Sequence, residues 1–146
     1  MDIFISLLPS VVVLAVLVFL VLRVRNKSVS IPPITPQEGV SVPVINAYIG
    51  YRFFNIHNGI WPKFILFEDH FDYRVLQTKS CRYEQVDQVD YYRGFLGLGS
   101  GPIVTFTNGD WKLFLNMNKN NSKEVLRFLK DKGCKLAEQA ENFLAI

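Results

Sequence analysis

Apolar residues run almost unbroken through the first part of the chain and alternate with polar ones through most of the rest. Residues 3–22 read IFISLLPSVVVLAVLVFLVL, with no charge and only Ser6, Pro9 and Ser10 to dilute them. Every position from Val11 to Leu22 is apolar, so a helix here would have no polar face. About 20 such residues span a hydrocarbon core of about 30 Å. The pattern therefore predicts a single-pass transmembrane helix, marked along its length by Ile3, Leu8, Val13, Val18 and Leu22. A cleaved secretory signal would need a basic start and small residues before its cleavage site. This run starts Met1-Asp2 and ends in LRVRNK. Arg23, Arg25 and Lys27 follow the span and no cation but the N-terminus precedes it. Cations beside a span stay on the cytoplasmic side, which places the C-terminal domain there.

Residues 28–43 read SVSIPPITPQEGVSVP, a proline-rich stretch expected to act as an extended linker. The folded domain is expected over 44–146. Its first strand is read at 51–56 (YRFFNI), closed by Asn58-Gly59. The apolar run 63–68 (KFILFE) predicts a largely buried strand, and 71–76 (FDYRVL) a half-buried one with Phe71, Tyr73 and Val75 on one side. Tyr83, Val86 and Val89 recur every three residues, which suits neither a regular strand nor a helix. Residues 103–107 and 111–115 flank Asn108-Gly109, a strong two-residue hairpin signal. Asn121 with Glu124 resembles a helix-capping box. Val125, Leu126 and Leu129 form the apolar face behind it, and Gly133 ends it. Leu136, Ala137, Ala140, Phe143 and Leu144 predict a second short helix.

Charge changes this picture little. The net +3 is accounted for by Arg23, Arg25 and Lys27, because the chain after Lys27 carries 13 basic and 12 acidic residues. Such a domain lacks the positive field of a nucleic-acid binder, so no nucleic-acid partner is expected. Cys81 and Cys134 are distant in sequence and belong to no motif, as expected of free, buried thiols.

The segment 63–75 (KFILFEDHFDYRV), then 83–89 (YEQVDQV), then the hairpin at Asn108-Gly109, then 122–129 (SKEVLRFL) together resemble bacterial pleckstrin-homology-like (PH-like) domains. The resemblance implies an α+β fold. After the transmembrane helix would come a bent antiparallel sheet or partial barrel of about seven strands, capped by a C-terminal helix. It also implies that the period-three stretch is a strand bending at a bulge. Phosphoinositide-binding relatives use several Lys and Arg around their first loop. The corresponding turns here carry His57-Asn58-Gly59 and Glu68-Asp69-His70, so headgroup recognition does not carry over.

Candidate chemistry is sparse. His57 and His70 have no second ligand at metal spacing, so no metal site is expected. Ser100 lies in GLGSG before Pro102 and a strand, which is not a nucleophile elbow. The same glycines lack the lysine of a phosphate-binding loop. No catalytic residue and no cofactor are expected. The function that follows is a membrane-tethered, non-catalytic interaction or scaffold module that binds another membrane protein at the bilayer surface. Phe95, Leu96 and Leu98, in a glycine-rich connection, are candidate contact residues. The alternative is peripheral sensing of anionic lipid through a weak basic surface of Lys63, Arg74, Lys79 and Arg82; an enzyme ranks third.

Overall fold

The computed structural model describes residues 12–16, 18–19, 30–32, 38–51, 54–58, 61–94, 99–107 and 111–146. Its strands are β1 (Val40–Ser41), β2 (Asn46–Tyr51), β3 (Phe54–Asn58), β4 (Lys63–Leu66), β5 (His70–Arg74), β6 (Thr78–Arg82), β7 (Val86–Tyr92), β8 (Gly101–Phe106) and β9 (Trp111–Asn116). Helices α1 (Lys119–Asp131) and α2 (Glu138–Ala145) follow. The strands form two antiparallel sheets: a four-stranded one ordered β1-β4-β5-β6 and a five-stranded one ordered β3-β2-β9-β8-β7.

Alternation in sequence sets the inner face of each sheet. In the four-stranded sheet, Phe64 pairs with Tyr73 and Leu66 with Phe71, so all four side chains share the buried face. Lys63, Ile65, Asp72 and Arg74 occupy the other face. In the five-stranded sheet, Val104 pairs with Leu113, and Leu115 with Ala47, again all buried. The two inner faces share one core, and Tyr73 stacks on Phe106 across them with ring centroids 5.8 Å apart. Val125, Leu126 and Leu129 from α1 enter that core fully buried. Against β7, Phe143 of α2 stacks on Tyr91 at 3.7 Å.

Local chemistry sets the helix ends. Asn118 is the N-cap, and its side chain accepts a hydrogen bond from the Asn121 amide at 2.7 Å. Asn121 itself, expected as the cap, is buried inside the first turn, and its Nδ2 donates to the Pro43 carbonyl. Gly133, at φ +85°, ends α1 as predicted. Its amide donates to Lys130 O, and the Cys134 amide to Leu129 O, the paired bonds of a Schellman motif.

Several expectations are corrected. The strand read at 51–56 straddles the connection between β2 and β3, two strands paired as a hairpin through Ile49 and Ile56 among others. Val40–Ser41, inside the expected linker, pairs with β4, and Val42 and Val44 behind it are buried. The expected single bent sheet gives way to two separately hydrogen-bonded sheets, while the second short helix expected near the C-terminus is present as α2. Within the stretch of period three, Tyr83–Gln85 is a 3-10 turn. The register then slips between Val86 and Gln88, so Asp87 is an extra residue at a bulge.

The transmembrane helix is also corrected, and with it the single-pass insertion and the cytoplasmic placement of the domain. Among the described residues no helix is long and apolar enough to cross a membrane. The longer of the two C-terminal helices, α1, has 13 residues, about 20 Å at 1.5 Å per residue, and is apolar on one side only. Of the expected span, 12–16 and 18–19 are helical, with Val13 and Val18 exposed. Ile3, Leu8 and Leu22, like Arg23, Arg25 and Lys27 after them, lie outside the described residues.

Gly101 marks where β8 passes closest to β9. A Cβ at that position would stand 1.7 Å from the Leu115 carbonyl oxygen, and backbone cannot yield as a side-chain tip can. Gly101→Ala is therefore expected to destabilise the fold by at least ~2 kcal/mol. Urea denaturation followed by circular dichroism measures this; Gly99→Ala, whose Cβ meets nothing closer than 3.9 Å but whose φ of +76° favours glycine, should cost only about 1 kcal/mol.

Candidate functional site

The chain passes from one sheet to the other at the end of β6. Gln85 anchors this crossing: its side-chain Oε1 accepts from the Arg82 amide at 3.0 Å. Its backbone carbonyl accepts from the amide of Thr107 at 2.9 Å and from the Thr107 hydroxyl at 3.1 Å. Beside this crossing a cleft of about 180 Å³ opens, lined by Tyr73, Ser80, Cys81, Gln85, Phe106 and Thr107. Tyr73 and Phe106, stacked, give it an apolar base, while Gln85 and Thr107 supply polar groups; the Ser80 hydroxyl turns to the other face of the sheet, toward Asp72.

Size limits what the cleft can hold. Sites for small molecules and cofactors run to about 300–1,000 Å³. This cleft accommodates one side chain. It adjoins β6, which ends the four-stranded sheet and pairs only with β5 among the described residues. Four of the five β6 residues are exposed: Thr78, Lys79, Ser80 and Arg82. Lys79 pairs with Tyr73, so it stands on the inner face at the margin of the core.

On the outward face of the same sheet a serine, a histidine and two aspartates meet. The Ser80 hydroxyl donates to Asp72 Oδ1 at 2.5 Å, and that oxygen lies 3.8 Å from His70 Nε2. His70 Nδ1 is 2.6 Å from Asp69 Oδ1. A serine nucleophile must give its proton to the imidazole. Here the hydroxyl faces a carboxylate, and both imidazole nitrogens face acids. The arrangement braces β5 against β6 and leaves Ser80 unactivated. The hydrogen bond with His70 holds the Asp69 carboxyl below the usual carboxylate range, helped by the charge of Arg82.

The thiols lie behind the cleft. Cys81 and Cys134 are free and buried. Their sulfurs face consecutive carbonyls, Cys81 toward Arg82 O at 3.4 Å and Cys134 toward Tyr83 O at 3.9 Å. Burial pushes both thiols up to about 11, with their mutual proximity adding at Cys81. Tyr83 is raised by burial and then by Cys134 beside it, and Tyr73 by burial and then by Cys81. A neutral thiol is a poor nucleophile, so these cysteines act as packing groups.

The proposed basic surface does not converge. Lys63 pairs with Arg74 at one end of the four-stranded sheet, and the Arg74 Nε donates to Trp61 O at 2.9 Å. Arg82 pairs with His70 at the other end, on the outward face, whereas Lys79 is on the inward one. Phe95, Leu96 and Leu98 lie outside the described residues. Among the described residues no three His, Cys, Asp or Glu side chains gather where a metal ion would sit. Sequence reasoning missed the cleft because β6 reads TKSCR, with one apolar position and no alternation. The turn at 75–77, between an alternating run and a polar one, was the available signal.

No protein-family model matches the chain, and no curated protein sequence matches it either.

Alkaline pH tests the placement of the thiols. An ordinary thiol ionises near 9.0, while these do so at about 11 in the folded protein. Between these values the unfolded chain has released protons that the folded one retains, so stability falls as pH rises from about 9 to 11. Thermal melting across this range should show Tm decreasing. The decrease should be shallower in Cys81→Ala/Cys134→Ala, whose baseline stability is lower because two buried side chains are shortened.

Proposed function

We propose that this chain is a non-catalytic interaction module. It takes an extended segment of a protein partner along the β6 edge and seats one partner side chain in the adjoining cleft. The carrying observation is that β6 ends its sheet, exposed, beside an opening the size of a side chain. An edge strand offers a row of backbone donors and acceptors, and an added strand gains affinity from them. Specificity then comes from the pocket, here an apolar base with polar groups at Gln85 and Thr107. Lys79 and Arg82 project from the same strand on opposite faces. Cations on an edge oppose pairing with another copy and favour a partner rich in Asp or Glu. The wiring of Ser80, Asp72 and His70 supports a binding role over a hydrolytic one.

Selection of binders from a random peptide library displayed against the full-length protein tests this reading. Selected peptides should carry an apolar residue among acidic ones and should perturb the amide resonances of β6, Gln85 and Thr107. Lys79→Glu/Arg82→Glu should weaken them roughly ten-fold, while Lys112→Glu, on the other sheet, leaves them unchanged. Binders that perturb the five-stranded sheet or α2 instead, and tolerate the double reversal, would refute it.

A further inference from the structure

The end of the four-stranded sheet away from the β4–β5 turn presents two large apolar side chains to solvent. Trp61, just before β4, is 72% exposed, and Leu76, just after β5, is 71% exposed. They belong to neighbouring turns. Lys63, two residues after Trp61, pairs with Arg74, two residues before Leu76, so both flank the same end of the sheet. The Arg74 Nε, on the Trp61 carbonyl at 2.9 Å, holds the two turns together. Two cations flank the pair on the outward face: Lys63, which is exposed, and Arg74 paired with it.

The same sheet is acidic at its other end. Glu68 and Asp69 form the β4–β5 turn, roughly 15 Å from Lys63 along the strands. Arg82 lies at that end too and offsets part of its charge, so the sheet has an apolar, basic pole and a weakly acidic one.

We propose that Trp61 and Leu76 form an insertion tip for an anionic lipid surface, with Lys63 and Arg74 against the headgroups. A protruding tip suits a fluid bilayer, whereas a folded protein would need a matching hollow for two separate projections. Tryptophan is favoured at the bilayer interface because its ring is apolar and its N–H finds polar partners there. Basic side chains beside it meet the negative surface potential. The acidic pole would be repelled, which sets the orientation of the sheet: β4 and β5 stand end-on, with the β4–β5 turn away from the lipid. The tip is separate from the β6 cleft and does not depend on the function proposed for that site.

The test uses the full-length protein carrying Trp111→Phe, which leaves Trp61 as the sole tryptophan. The apolar stretch 3–22 can adsorb to lipid whatever the tip does, so the readout is confined to Trp61 fluorescence. Vesicles contain phosphatidylcholine alone or with phosphatidylglycerol, and carry nitroxide-labelled acyl chains as quencher. The expected result is a blue shift and quenching with phosphatidylglycerol, relieved by high salt. Lys63→Glu should lower the lipid concentration dependence about five-fold, and Leu76→Ser should reduce quenching without altering the salt response. Solvent-like emission with no quenching in anionic vesicles would overturn the proposal. Quenching that is equal in both vesicle types and indifferent to salt would do the same. Emission that shifts with polyglutamate but not with lipid would assign the tip to an acidic protein instead, and equally overturn it.

Discussion

Tyr83 ties three parts of the molecule together. Its hydroxyl lies 2.7 Å from Phe67 O and 2.8 Å from His70 O, the two carbonyls that frame the β4–β5 turn. Its ring packs on Phe71 inside the first sheet and meets Phe128 of α1 edge-on at 5.9 Å. Its own carbonyl receives the Cys134 thiol just beyond α1. A 3-10 turn holds this residue where the chain leaves one sheet for the other. The hairpin, the crossing and the helix are therefore positioned from one point. A single buried hydroxyl bond contributes only about 1 kcal/mol, but the ring also removes a large apolar surface from water.

That constraint also explains the opening. The first strand after the 3-10 turn, β7, joins the second sheet, and among the described residues β6 has no neighbour beyond it. Gln85 and Thr107 then tie the crossing to the end of β8, which keeps the two sheets apart at this margin. A sheet edge and a side-chain-sized hollow follow from the same turn. The polar face of β5 and β6 is stiffened by the bonds among Ser80, Asp72 and His70. A partner segment would thus meet a rigid edge, with little ordering to lose on binding.

Much of the core was legible along the chain. Phe71 and Tyr73, like Val104, Leu113 and Leu115, alternate as half-buried strands must, and Phe64 and Leu66 lie in a run read as largely buried; the structure buries all seven. The apolar face of α1 and its glycine stop were readable for the same reason. Polar strands gave no such signal: β6 has one buried residue, and β1 is hidden among prolines. The β2–β3 hairpin was merged into one strand because its aromatic run continues through the turn. Asn118, rather than Asn121, caps α1, a choice made by the contact of Asn121 with Pro43, 78 residues away. The N-terminal run shows the limit of length and hydropathy as a guide, since no helix long enough to cross a membrane is present among the described residues. The cleft was illegible because it arises where two sheets part.

The far edge of the second sheet is closed in a different way. Leu136 forms a parallel bridge with Val89, with the Val89 amide bonded to Lys135 O and the Ala137 amide to Val89 O. A short stretch nearly fifty residues downstream thus shields β7. During synthesis that strand leaves the ribosome well before its cover does, so for some seconds its outer backbone groups face water or whatever chain is nearby. Assembly of this margin is therefore a late event on the growing polypeptide, and the interval before it is the period of greatest exposure to mispairing.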